Sequence, residues 1–115
     1  MVPVRDAGTL SKSSPRAHLL EEFGDGAYCF TATQAGRVRA RGFFPGAGIS
    51  EDPATGSAAA SLGLYLADRI GDIDFELTQG VEVRRPSHML IEARSQMVQV
   101  GGRCSLVLSG ELTQL

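Results

Sequence analysis

From Ser57 to Ala67 the chain carries no charge and is built of Ala, Ser, Gly, Leu and one Tyr. Ala and Leu favour helix and no Pro interrupts the run, so the segment predicts a helix. Leu62, Leu64, Tyr65 and Leu66 fall on no single stripe. A helix that is apolar all round is expected to be buried all round. The run rises about 20 Å, too short for a bilayer crossing, which needs about 20 apolar residues. It reads as a core helix enclosed by sheet.

The flanking pattern supplies that sheet. Val2 to Arg5 predicts a short strand and Asp6 to Ser14 a polar loop. Ser14-Pro15 has the form of an N-cap followed by Pro at the first helical position. Pro15 to Phe23 then sets Leu19, Leu20 and Phe23 on one side, as an amphipathic helix does. Ala27 to Thr33 is β-rich, Gln34-Ala35-Gly36 turns the chain, and Arg37 to Phe43 alternates. Val38, Ala40 and Gly42 face one way; Arg37, Arg39 and Arg41 face the other, as on a solvated face. Arg41, nearest the glycine-rich loop that follows, has an alternative use in neutralising an anionic ligand.

After the central helix, Gly71, Asp72 and Asp74 mark an exit loop, and Ile73 to Gln79 predicts a strand. Arg84 to Ser87 is a turn. His88 to Arg94, Met97 to Val100, Arg103 to Ser109 and Glu111 to Thr113 follow as short strands. Short strands separated by turn signals predict an antiparallel meander. The expected fold is α+β: a curled, mostly antiparallel, barrel-like sheet wrapped around one buried central helix.

At 115 residues this is one domain, or one half of a larger protein. A net charge of −2 gives no reason to expect nucleic acid or an anionic membrane as partner. The first residues, MVPVRDAGTLSKSS, lack the apolar run of a signal peptide, so a cytoplasmic location is expected. Cys29 and Cys104 lie in apolar runs and are expected to be buried free thiols. No Cys/His cluster suggests a metal, and neither His18 nor His88 has a second ligand at metal spacing.

The chemistry gathers where the central helix begins, at Glu51-Asp52-Pro53-Ala54-Thr55-Gly56-Ser57. The first-turn N–H groups of a helix lack internal partners, and the dipole places partial positive charge there. Thr55 or Ser57 can cap this end, and Gly56 lets another group approach the backbone. A carboxylate or phosphate suits such a place; an ordinary capped core helix would use the same residues.

The runs Arg41-Gly42-Phe43-Phe44-Pro45, Gly48-Ile49 and Glu51 to Ala58 together resemble the signature of the phenazine-biosynthesis PhzF-like isomerase family, of the diaminopimelate epimerase fold. Gln79-Gly80, Arg85-Pro86-Ser87, Val100-Gly101-Gly102 and Gly110-Glu111-Leu112 resemble its later landmarks, in order. The resemblance implies that residues 1–115 correspond to the C-terminal half of a two-domain protein whose active site lies between the domains. It implies no cofactor and no metal. Asp52 matches an acidic residue lining the cleft, taken as catalytic. Thr55, Gly56 and Ser57 match the helix start that holds the substrate's carboxylate.

Two departures stand out. The family's catalytic glutamate, beside a Gly-Asn-Pro landmark in the other domain, has no counterpart here. Arg84 stands where the family usually has Gly, so that turn is expected to have a different backbone, because Gly tolerates positive φ and Arg does not easily. The implied function is the half-site of a cofactor-independent isomerase that shifts a proton on a small organic acid. The chain would work as a homodimer or with a chain supplying the N-terminal domain. The alternatives are a homodimeric small-anion-binding module and a catalytically inactive remnant.

Overall fold

The computed structural model describes residues 1–24 and 26–113. In chain order the elements are β1 (Val2–Pro3), α1 (Ala7–Lys12), α2 (Ala17–Phe23), β2 (Ala27–Gln34) and β3 (Arg37–Phe44). A 3-10 turn (Pro45–Ala47) leads to β4 (Ile49–Asp52) and α3 (Gly56–Ile70). Then come β5 (Ile73–Gln79), β6 (Ser87–Arg94) and β7 (Met97–Gly102). All seven strands form one sheet in the order β1-β2-β3-β5-β6-β7, with β4 pairing β3 beside that path.

Period-two burial organises the sheet. Phe75, Leu77 and Gln79 on β5 and Met89, Ile91 and Ala93 on β6 are buried while their neighbours are more exposed. The register sets Phe75 opposite Ile91 and Leu77 opposite Met89, so the two apolar rows share one face. Against it α3 lays Ala59, Leu62, Gly63 and Ala67, all buried. Leu62 and Leu77 are fully buried, each stabilising the fold by about 2 kcal/mol through apolar area removed from water. Gly63 sets the approach: a Cβ there would come within 2.9 Å of Ile91 Cγ2 and Val98 Cγ2. On the opposite face, Leu10 of α1, Cys29 and Phe43 form a second small cluster.

The α+β expectation holds, and four of the six strand pairings are antiparallel. The pairings β1 with β2 and β3 with β5 are parallel, so the sheet is mixed. It is also not closed. Its path ends at the two-residue β1 on one side and at β7 on the other, and the expected strands at Arg103 to Ser109 and Glu111 to Thr113 are not formed. The central helix is therefore not enclosed. Ser57, Ser61, Leu64 and Asp68 form an exposed side, with Leu64 38% exposed. Being apolar all round did not bury it all round, because an open sheet covers only one side.

Local corrections have local causes. The expected loop at Asp6 to Ser14 contains α1, because the Asp6 carboxylate accepts a 2.7 Å hydrogen bond from Thr9 N and caps a helix. The next helix starts at Ala17 rather than Pro15, with Arg16 at the cap position, and Phe23 is 88% exposed. Ile49–Asp52, expected as loop, is drawn into the sheet by pairing Asp52 with Gly42 and Ile49 with Phe44. Cys104 is exposed and only Cys29 is buried; both are free. Of the three arginines expected on a solvated face, only Arg37 is exposed, because Arg41 lies under the end of α1 and Arg39 pairs with Glu82.

Candidate functional site

Asp52, Thr55, Gly56 and Ser57 meet at the start of α3, where β4 ends and the helix begins. Asp52 is half-buried. Its Oδ2 accepts a 2.7 Å hydrogen bond from the Thr55 hydroxyl, and its Oδ1 a 3.4 Å bond from Ala54 N. Thr55 therefore spends its hydroxyl on Asp52 and does not cap the helix with its side chain. The first intrahelical bond runs from Ala59 N to Thr55 O at 2.9 Å. The amides of Gly56, Ser57 and Ala58 precede it, as the unbonded donors of a helix start do. Gly56 and Ser57 are exposed, and a Cβ built on Gly56 would meet no heavy atom within 4 Å. The helix start thus faces open space with partial positive charge and three amides.

What fixes this loop is Gln79, fully buried at the end of β5. Its Nε2 donates to Asp52 O at 2.7 Å and to Thr55 Oγ1 at 2.9 Å. Its Oε1 accepts from the Tyr28 hydroxyl at 2.6 Å and from Thr55 N at 3.3 Å. Burial, and after it the charge of Asp52, pushes the Tyr28 phenol well above its ordinary value of 10.0. The phenol therefore stays a proton donor to Gln79. Space for the amide comes from Gly42, whose Cβ would lie 3.2 Å from Gln79 Nε2.

Sequence reasoning placed Gln79 as a landmark but gave Gln79 and Tyr28 no role. The signal was there: Gln79 continues the parity of Phe75 and Leu77, a polar residue on the apolar side of a strand. Such a side chain needs partners, because burying an amide without them costs free energy.

Gly80 joins this loop to the following turn. It has φ +81°, and a Cβ would press on Arg85 O and Pro53 O. Arg84 itself holds φ 58°, the one non-glycine positive φ among the described residues. The turn therefore keeps a positive φ with Arg in place, where a different backbone was expected. Beside Ala54, residues Pro86 to Met89, Gly102 and Arg103 line a groove of about 410 Å³.

Arg41 lies outside this constellation and is 7% exposed. Its Nε and Nη2 donate to Glu51 at 2.9 and 2.7 Å, and its Nη1 reaches the carbonyls of Leu10, Ser11 and Ser13 at 2.8–3.0 Å. The Glu51 hydrogen bond raises its pKa further. Arg41 fastens the end of α1 to the sheet, and all three guanidinium nitrogens are engaged. Arg39 makes a 2.6 Å ion pair with Glu82. His88 is exposed, with Nδ1 3.3 Å from Thr78 Oγ1, and His18 is exposed. Among the described residues no group of His, Cys, Asp and Glu could hold a metal ion, and no helix is long and apolar enough to cross a membrane.

A family model described as phenazine biosynthesis-like protein matches residues 1–110. The chain is similar to the trans-2,3-dihydro-3-hydroxyanthranilate isomerase of Pseudomonas fluorescens: 42% identity over 95 residues, covering 79% of this chain and 34% of that protein. The same-named protein of Pseudomonas aeruginosa is 38% identical over 120 residues, covering 95% of this chain and 42% of its own length. Among solved structures, a phenazine biosynthesis protein of the PhzF family from Enterococcus faecalis gives a TM-score of 0.72 at 27% identity, covering 87% of this chain and 38% of that one. A PhzC/PhzF protein from Clostridium difficile gives 0.73 at 20% identity, a likeness of fold, covering 96% and 43%. The chain spans 34% and 42% of the two curated relatives' own lengths.

Proposed function

The chain belongs to the phenazine biosynthesis-like protein family, and from that membership we propose that it forms one wall of the active site of a cofactor-independent isomerase. The substrate is a small carboxylate-bearing metabolite of the kind named for its relatives, a dihydro-hydroxyanthranilate. The three unbonded amides at the start of α3 and the Ser57 hydroxyl hold the substrate's carboxylate. Asp52, tied to Thr55, hydrogen-bonds the substrate near the carbon that exchanges its proton. A glutamate from the remaining part of the family's length removes and returns that proton. The helix dipole stabilises the negative charge that develops as the proton leaves.

The observation that carries this reading is the Asp52–Thr55–Gln79 hydrogen-bond network, which holds a carboxylate beside an open helix start. A plain structural turn does not require a buried amide and a buried phenol to set the position of one carboxylate. The test is to co-express the chain with a polypeptide supplying the glutamate-bearing domain and follow isomerisation in D2O by proton NMR. Deuterium should enter the product, and Asp52→Asn should slow exchange by about 100-fold. Unchanged exchange in Asp52→Asn would remove Asp52 from the chemistry. Absence of exchange from a stable complex would remove the isomerase reading.

A second reading, a homodimeric module that binds a small organic anion, is favoured by the apolar side chains exposed at Leu106, Val107 and Leu108. Anthranilate binding to the purified chain without turnover would support it.

A further inference from the structure

The groove beside Ala54 continues beyond the loop that carries Asp52. A second hollow of about 460 Å³ shares His88, Gly102 and Arg103 with it and runs past Leu90 to Glu76. Together they form one channel, with a near arm at Ala54 and a far arm at Glu76. Ala54 is two residues before Gly56, so the near arm opens within about 8 Å of the helix start, at about 3.8 Å per Cα step.

Gly102 keeps this channel open. It lies opposite Met89 in the β6–β7 ladder, where a side chain would stand beside that of Met89. The backbone does not require glycine there. Gly102 has no positive φ, and a Cβ would meet only His88 O, at 3.8 Å, an ordinary contact. What the glycine provides is the hollow itself.

Charge divides the two arms. Arg103 is the one arginine, lysine or carboxylate lining the near arm. It is exposed and makes no ion pair among the described residues. The near arm also holds the Ser87 hydroxyl, whose bond to Arg85 O is long at 3.4 Å. The far arm ends at Glu76, whose carboxylate lies 3.5 Å from Arg37 Nε and 3.7 Å from His88 Nδ1. An anionic group is therefore attracted into the near arm and kept from the far one.

We propose, resting on the reading above that the start of α3 holds the substrate's carboxylate, that the near arm is a second acid-binding subsite. Arg103 and the Ser87 hydroxyl hold a further acidic group of the same substrate. A guanidinium suits the task, because it presents paired N–H donors to a planar carboxylate. The substrate class narrows from a small carboxylate-bearing metabolite to a diacid, and Arg103 and Gly102 become determinants of that specificity.

The test is a titration of the full chain followed by amide chemical shifts in NMR spectra. The probes are adipate, a flexible diacid, and hexanoate, the monoacid of equal carbon number. Hexanoate should shift the Gly56 and Ser57 amides alone. Adipate should shift those together with the His88 and Gly102 amides and bind about tenfold more tightly. Arg103→Gln and Gly102→Leu should each remove the shifts at the groove and bring adipate to the affinity of hexanoate. Arg85→Gln removes an equal charge from an exposed residue that does not line the groove, and should keep the preference for adipate. Both groove positions are exposed, so unchanged spectra elsewhere identify a lost preference as a lost subsite.

Equal affinity for the two acids, with shifts at Gly56 and Ser57 only, overturns the subsite and leaves the helix-start reading in place. Shifts at His88 and Gly102 without any at Gly56 and Ser57 overturn the helix-start reading, and the bridging diacid with it. Binding of neither acid overturns both. A preference lost in Arg85→Gln as well overturns the assignment to Arg103, because general attraction by positive charge then accounts for it.

Discussion

Gln79 sits on the apolar side of β5, yet its side chain binds groups on three other parts of the chain: Tyr28, Asp52 and Thr55. Replacing it by Leu removes those bonds and leaves a buried phenol without a partner. Each net hydrogen bond is worth about 1 kcal/mol and each stranded buried polar group about 1–3 kcal/mol. Gln79→Leu should therefore destabilise the fold by about 3 kcal/mol, measured by urea unfolding. It should also lower exchange activity in the reconstituted complex, although Gln79 does not reach the open side of the helix start. Arg84 poses the opposite case. At φ 58° a side chain costs about 1 kcal/mol relative to glycine, partly offset by the greater freedom of Gly in the unfolded chain. Arg84→Gly should raise stability by about 0.5 kcal/mol in the same assay; a loss would mean that the exposed Arg84 side chain makes a contribution its surroundings do not reveal.

At the scale of the element, α1 has six residues, too few to be stable alone. It is held by its buried Leu10, by Arg41 at its end carbonyls, and by Ser11 Oγ donating to Glu82 Oε1 at 2.9 Å. Burial raises the Glu82 carboxyl pKa, but the Ser11 hydroxyl and Arg39 outweigh it, so the net value lies below the ordinary 4.5. The carboxylate is thus favoured in the folded state. Its contribution is complete above about pH 4.5 and is lost as pH falls through the lowered folded value. Asp6 at the other end of α1 is lowered as well, chiefly by its hydrogen bond from the Thr9 backbone, and acts with the same sign. Hydrogen exchange should show the Leu10 and Ser13 amides opening on acidification before those of β5, and Glu82→Gln should reduce that pH dependence. Simultaneous opening of α1 and β5 would show that α1 does not respond as a separate unit.

The whole molecule has an open sheet and a helix covered on one side only, and in the function proposed above its candidate site is one wall of a cleft. Half a cleft excludes little water, and electrostatic stabilisation of a developing charge weakens as water enters. The chain by itself should therefore give no measurable proton exchange in the NMR assay, with activity appearing only in the reconstituted complex. Turnover by the purified chain alone would mean that a second copy closes the cleft.

The sequence alone determined the strands β2, β3, β5 and β6 and the central helix, and it placed Asp52, Thr55, Gly56 and Ser57 together at that helix's start, because local periodicity and a contiguous motif carry that information. It did not determine the positive φ at residue 84, where Arg in place of the family's Gly pointed to a different backbone for that turn. Only the tertiary structure decided that Arg41 is a buried clamp, that α3 is open on one side, that Cys104 is exposed and that Gln79 governs Asp52. Each of these depends on what lies opposite a residue. Partners such as Arg41 and Leu10, or Gln79 and Asp52, are far apart in the chain and meet only when the strands are paired. The segment after Gly102 shows the same limit: its pattern is that of a strand, but a strand forms only where another edge is present to complete its hydrogen bonds.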